Sequence, residues 1–333
     1  MKKSSLTKKI LCIGGGTGTF VTLRGLKAYQ YPVSAIVTMS DSGGSNKRIR
    51  DEFGLLPTSD IRQCFVALSD ENGGAGLLRK LFMYRFEKGE GITGMTFGNL
   101  FMAALSDILG SQKEAIRQTG KVLRIKGTVI PVSFTDTNLV ATYEDGSKVY
   151  EEHLIDEPAS DGSLKITHMK LSPKAKPNKE ALDAIATADL IVLCPGDLYT
   201  SLIPNLLVED ISHAISTSKA RKIYIVNLMT KWGQTYGFSA SDHIHILEKY
   251  IGKSLNDVIV NSATLNERAL IVYKKYHELP VVDDLKNSYF RIIRAPIASS
   301  KLTPKGKSDI LIRSFIRHDS EKLAKVLIQL LES

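Results

Sequence analysis

Residues Ile13-Gly14-Gly15-Gly16-Thr17-Gly18-Thr19 form a run that can hold a phosphate. An apolar stretch, Lys9-Ile10-Leu11-Cys12-Ile13, precedes it, and Phe20-Val21-Thr22-Leu23-Arg24-Gly25-Leu26 follows. That order predicts a strand, a glycine turn and a helix. Glycine removes the Cβ that keeps a ligand off the backbone. The helix start then offers unpaired N–H groups and a partial positive charge, which suit an anion. Gly14, Gly15, Gly16, Thr17, Gly18 and Thr19 are the expected ligand residues here. The run is not a P-loop, because no Lys follows Gly18. It departs from the dinucleotide fingerprint at Thr19, where a third Gly or Ala belongs. A tight turn without a ligand is the competing reading.

Three more polar loops follow apolar runs. Val33 to Ser40 reads as a strand and ends in Ser40-Asp41-Ser42-Gly43-Gly44-Ser45. Asp41 lies where a Rossmann protein keeps the acid that binds ribose hydroxyls. With its Ser and Gly neighbours it could equally hold Mg²⁺ against a phosphate, or simply form an Asx turn. The strand Leu190-Ile191-Val192-Leu193-Cys194 ends in Pro195-Gly196-Asp197-Leu198-Tyr199-Thr200-Ser201. The strand Ile223 to Leu228 contains Asn227 at its end and runs into Met229-Thr230-Lys231-Trp232-Gly233-Gln234-Thr235. The expected ligand residues in these loops are Asp41, Gly43, Gly44, Ser45, Asp197, Tyr199, Thr200, Ser201, Asn227, Thr230 and Thr235. Four such loops at strand ends point to one extended ligand, such as a nucleotide carrying a second group.

Other positions are ambiguous or weak. Asn99, in Thr96-Phe97-Gly98-Asn99, is either a helix N-cap or a ligand contact. Asp60 reads as the N-cap of a helix over Ile61 to Leu68. Trp232 is core or a lid. His243 and His245 are two apart on a helix and do not share a face, so they make no metal pair. Arg317-His318-Asp319-Ser320 is a capped helix start with a basic flank, or an arginine reaching back to a phosphate. No G-x-S-x-G elbow occurs, and no catalytic residue is assigned.

The elements that must position these residues alternate between strands and helices. This predicts an α/β, Rossmann-like, doubly wound and mostly parallel sheet, with ligands beyond the carboxyl ends of the strands. A β insertion or small subdomain is expected at about 121–170, because Gly127 to Ile130 and Leu139 to Tyr143 read as strands and Asp145-Gly146 as a hairpin turn. The whole of 1–333 is expected to be a single domain. Residues 156–178 and 296–308 hold much of the Pro, Ser and Lys and are the expected mobile loops.

With 333 residues, 43% hydrophobic and 24% charged, the chain has an ordinary globular composition. No apolar run reaches the length of a membrane span. Cys12, Cys64 and Cys194 sit in apolar contexts without metal spacing, which suggests buried thiols and a cytoplasmic location. The net charge is +9. Residues 1–9 carry four Lys and no acid, and residues 291–333 carry nine Lys/Arg against four Asp/Glu, so the excess lies at the two ends. No basic stripe with interleaved aromatics runs through the chain, so no nucleic-acid partner is expected. The expected assembly is a homodimer.

Taken together, the segments resemble the family that joins the bacterial YvcK proteins, or gluconeogenesis factors, with the CofD phospholactate transferases. The resemblance runs from about residue 9 to the end. It rests on Gly14 to Gly18, Leu23-Arg24-Gly25-Leu26-Lys27, Ser40 to Ser45, Asp60-Ile61-Arg62-Gln63-Cys64 and Phe97-Gly98-Asn99-Leu100-Phe101. Pro195 to Asn205, Asn227-Leu228-Met229-Thr230 and the tail Arg317-His318-Asp319-Ser320 complete it. Ser42 stands where a second Asp is usual in the YvcK loop, and Trp232 where Pro is usual. The resemblance implies a Rossmann-like fold. On the YvcK side it implies binding of a UDP-sugar, typically UDP-N-acetylglucosamine, and a role in cell shape and in envelope and central carbon metabolism. It also implies ligand contacts at the motif-matched Tyr273 and Arg317. On the CofD side it implies Mg²⁺-dependent transfer of a phospholactyl group from a guanylylated donor, with Asp41 as the metal ligand. The expectation is a UDP-sugar-binding regulator without turnover, with the transferase as the alternative. Ser320 is an expected regulatory phosphorylation position, because added charge beside Arg317 would perturb the helix start.

Overall fold

The apolar runs become strands that are buried on nearly every residue, as expected of a parallel sheet covered on both faces. A computed structural model describes residues 8–71, 73–158, 161–302 and 315–333. The sheet strands are β1 (Ile10–Gly14), β2 (Val33–Val37) and β3 (Thr128–Pro131), joined after an excursion by β7 (Leu190–Leu193), β8 (Arg221–Ile225), β9 (Asp257–Asn261) and β10 (Arg291–Ala295). Their order is β10-β9-β8-β7-β1-β2-β3, and every neighbouring pair is parallel. The chain therefore winds away from β1 on one side and returns to its other side with β7. This reversal leaves a crevice between the carboxyl ends of β1 and β7, where ligands bind in open α/β sheets.

Helices cover both faces. Between β1 and β3 lie α1 (Gly16–Leu26), α2 (Gly44–Phe53), α3 (Ser59–Leu68), α4 (Gly73–Met83), α5 (Phe97–Leu109) and α6 (Gln112–Val122). The excursion after β3 is a three-stranded antiparallel sheet of β4 (Asn138–Tyr143), β5 (Lys148–Tyr150) and β6 (Ile166–Ser172), with the short helix α7 (Glu152–Asp156). Then come α8 (Lys179–Thr187), α9 (Ile203–Leu206), α10 (Ile211–Thr217), α11 (Ala240–Ile251), α12 (Glu267–Lys275) and the final α13 (Ser320–Glu332). Residues Leu198–Leu202, after β7, form one π-helical turn. Leu139, Ala141, Met169 and Leu171 of the small sheet join the core on one face of the main sheet. Cys12, Cys64 and Cys194 are buried in the core on the other face, as expected.

Several local expectations need correction. Residues 128–131 pair with β2 in the main sheet, so the antiparallel excursion begins only at Asn138. Its hairpin turn is as expected: Gly146 has φ +84°, and Asp145 Oδ1 accepts the Ser147 amide at 2.9 Å. The supposed loop at 156–178 contains β6, whose Ile166, Met169 and Leu171 are buried, with a register shift opposite Thr142 and Tyr143 bringing Ile166 to the same side. Part of the loop expected at 296–308, and residues 1–7 of the basic N-terminus, lie outside the described residues. Asp60 is not the N-cap of α3. Thr58 takes that place, and Asp60 turns toward the glycine run. Asn99 is likewise not an N-cap, since Thr96 precedes α5.

Candidate functional site

Over the crevice lies a cleft of about 460 Å³, within the usual range for small-molecule sites. Residues following β1, β2, β7 and β8 line it, together with the start of α3, helix α7, Tyr273 of α12 and residues 316–318 ahead of α13. Each wall is thus a strand end, or an element folded back over one.

Of the expected ligand residues, the cleft brings together Gly16, Thr17, Gly18, Asp41, Gly43, Gly44, Ser45, Asp197, Thr200, Ser201, Asn227, Thr230, Tyr273 and Arg317. The others lie behind its surface. Gly14 is the last residue of β1, and Gly15 and Thr19 are buried beside it. Asn99 is buried beneath the wall, where its amide donates to Ser45 Oγ and Ser59 Oγ at 3.1 Å each and its carbonyl accepts from Arg62 Nε at 3.1 Å. It orients three lining side chains and does not line the cleft itself. Tyr199 is buried, with its hydroxyl directed at the Ile166 carbonyl of β6. Thr235 Oγ1 accepts the Lys231 amide at 2.9 Å and stays inside the turn. Ser320 opens α13, away from the lining, with Asp319 as the N-cap accepting from the Glu321 and Lys322 amides.

The polar groups that do line the cleft are fixed by specific bonds. Asn227 clamps the Gly196 peptide, accepting from its N–H at 3.2 Å and donating to its carbonyl at 2.7 Å. Asp41 forms an Asx turn, accepting the Gly43 amide at 2.9 Å, and also accepts from the Asn46 side chain. Ser42 Oγ lies 3.0 Å from His153 Nδ1 and accepts the His153 amide at 3.1 Å, tying the β2 loop to α7. Tyr273 accepts the Ile316 amide at 3.0 Å and so holds the segment that carries Arg317. Trp232 packs against Tyr236 and His277, with ring centroids 4.7 and 4.5 Å away, and is not part of the lining.

The titratable groups around the cleft complete its electrostatics. Burial, reinforced by Asp41, pushes Asp60 up to about 7, against the pull of the Gly16 amide and Arg62. Burial pushes Asp197 up to about 6 although Lys231 opposes it, and Glu278 up to about 7 in the same way. Burial and the nearby Asp41 and Asp156 hold Glu152 well above the carboxylate range. Burial works against the charge on Lys231, but Asp197, Asp156 and Glu278 outweigh it and raise its pKa. Burial lowers His318 to about 4, so this imidazole is neutral at ordinary pH. The cleft therefore holds a lysine among carboxyl groups that keep protons close to neutrality. The motif Asp60 to Cys64 flagged Asp60 only as part of a pattern. Nothing near Glu152 or Asp156 in sequence marks them, because they reach the cleft only when the excursion folds back.

Among the described residues no group of three or more His, Cys, Asp or Glu side chains is placed to hold an ion. Asp41 accepts the Gly43 amide and the Asn46 side chain, and the Ser42 hydroxyl is bonded to His153.

Comparison with known proteins agrees with the fold. The family model for 2-phospho-L-lactate transferase CofD matches residues 10–298. A putative gluconeogenesis factor of Aquifex aeolicus is 42% identical over 97% of both chains. The gluconeogenesis factor of Bacillus subtilis is 38% identical over 97% of this chain and 98% of its own. A crystal structure of a UPF0052-family protein from Bacillus halodurans superimposes with a TM-score of 0.86 at 36% identity, covering 98% of this chain and 99% of that one. The chain belongs to the CofD family and stands within it among the gluconeogenesis factors.

Proposed function

We propose that the protein binds a nucleotide sugar of the UDP-N-acetylglucosamine type and acts as a regulator of envelope and carbon metabolism, with a bearing on cell shape, without turning the ligand over. One observation carries this reading. The cleft at the sheet reversal joins a helix start suited to a diphosphate with walls of carboxyl and amide acceptors suited to sugar hydroxyls. Thr17 and Gly18 at α1 would face the diphosphate, and Arg317 would neutralise part of its charge. Asp41, Asp197 and Ser201 would accept from or donate to ribose and sugar hydroxyls. The alternative transferase reading needs a metal to gather charge on the transferring group, which one or two cleft carboxylates together with the donor's phosphates would hold.

Thermal unfolding with three ligands tests the proposal. A ligand at 100 times its Kd adds about 2.7 kcal/mol to stability. UDP-N-acetylglucosamine should raise Tm without added metal, and GDP with Mg²⁺ or NAD should leave it unchanged. A shift with GDP only when Mg²⁺ is present, and none with the uridine sugar, would overturn the reading in favour of the transferase.

A further inference from the structure

The helix start that should receive the diphosphate is already faced by a carboxyl group of the protein itself. Asp60, the second residue of α3, lies against the first turn of α1. A Cβ added to Gly15 would come within 2.7 Å of Asp60 Oδ2, and one added to Gly16 within 3.1 Å of Asp60 Oδ1. The Gly16 amide lies near enough to this carboxyl to favour its charged form. Asp60 also lines the cleft, so a phosphate approaching Gly16 to Gly18 must settle beside it. No acidic residue of α1 occupies that turn. The charged and titratable groups facing Asp60 are Asp41 after β2, Asp197 after β7, Glu152 on α7, and Arg62 and Cys64 on its own helix.

We propose that Asp60 selects the ligand at this helix start, admitting a diphosphate capped at both ends and rejecting one with a free terminal phosphate. The proposal rests on the nucleotide-sugar reading and sharpens it. In a capped diphosphate each phosphorus carries one negative charge. A free terminal phosphate gains a second charge near pH 6. That extra charge would meet the Asp60 carboxyl directly at the helix start. Protonated, Asp60 donates a hydrogen bond to a phosphate oxygen. Ionised, it competes with the phosphate for the Gly16 amide. Burial and Asp41 hold the group up to about 7, so both forms are accessible around neutrality. Affinity for the capped ligand therefore rises as pH falls through that value, by about tenfold between about pH 8 and about pH 6 for uptake of one proton.

Calorimetric titration of the full chain and of Asp60→Asn with UDP-N-acetylglucosamine and with UDP tests this at both pH values. The wild-type chain should prefer the capped ligand at least about tenfold at about pH 8. Asp60→Asn should gain affinity for UDP, narrow the preference to about threefold or less, and lose the pH dependence. A preference and pH slope unchanged in Asp60→Asn would overturn the role of Asp60 while leaving the nucleotide-sugar reading intact. A wild-type chain that binds neither nucleotide would overturn both. Should Asp60→Asn lose its native circular dichroism, Asp60→Ser carries the same comparison.

Discussion

Gly18 sets how closely α1 lies against the loop after β7. A Cβ there would stand 1.6 Å from the Pro195 carbonyl oxygen, a backbone atom that cannot rotate away. The dinucleotide fingerprint reserves its third glycine for close helix–strand packing. Here Gly18 takes that task one position earlier, and Thr19, which departs from the fingerprint, is buried. Gly18→Ala should force α1 and the β7 loop apart, costing about 1–3 kcal/mol by overpacking. The same movement should widen the crevice and weaken the ligand-induced rise in Tm. Urea unfolding reads the first effect, and the thermal titration reads the second. Full stability in the alanine variant would mean that the Pro195 loop moves freely and that the crevice is not built by this contact.

At the scale of elements, the strand-end loops were legible because each follows a buried run with glycine and hydroxyl residues. The walls contributed by α7 and by residues 316–318 were not. Glu152 and His153 sit in a short helix whose sequence has no distinctive period, and they meet the β2 loop through the Ser42–His153 bonds and through the Ser42 amide, which donates to the Glu152 carboxylate at 3.4 Å. The 316–318 segment is legible as a motif, but its placement depends on contacts distant in sequence. The Ser299 amide donates to the Arg317 carbonyl at 2.8 Å, the Asp319 amide to the Ile297 carbonyl at 2.7 Å, and the Ile316 amide to the Tyr273 hydroxyl at 3.0 Å. Tyr273, expected as a ligand contact, thus fastens the segment that brings Arg317 to the cleft. Tyr273→Phe removes that acceptor from a buried amide and should cost about 1–3 kcal/mol. It should also weaken binding of the uridine sugar, because Arg317 loses its anchor. A stability loss with unchanged Kd would restrict Tyr273 to packing. A Kd change without stability loss would instead favour direct contact with the ligand.

For the molecule as a whole, the parallel sheet and its reversal at β1 and β7 gather partly buried carboxyl groups from loops remote in sequence into one cleft. Composition alone hides this, since the excess charge of the chain is positive and lies at its ends. The gathering has a consequence for stability. Folding holds Asp60 and Glu278 up to about 7 and Asp197 up to about 6, mainly through burial. In the unfolded chain carboxyl groups release their protons near pH 4. Between about pH 4 and about pH 7 the native state therefore binds more protons than the unfolded one, and stability falls as pH rises through that window. His318 acts in the opposite sense. Burial lowers it to about 4, so the unfolded chain takes up its proton first and stability drops as pH falls below about 6.5. Three raised carboxyls outweigh one depressed imidazole, and Glu152 and Asp41 are shifted the same way as the three. The Tm of the unliganded protein should accordingly decrease from about pH 5 to about pH 7.5, and the double variant Asp197→Asn with Glu278→Gln should show a flatter profile. A Tm that rises over this interval would mean that the cleft carboxyls are ionised in the native state, with Lys231 and the arginines compensating them fully. An equally steep fall in the double variant would place the proton uptake outside Asp197 and Glu278.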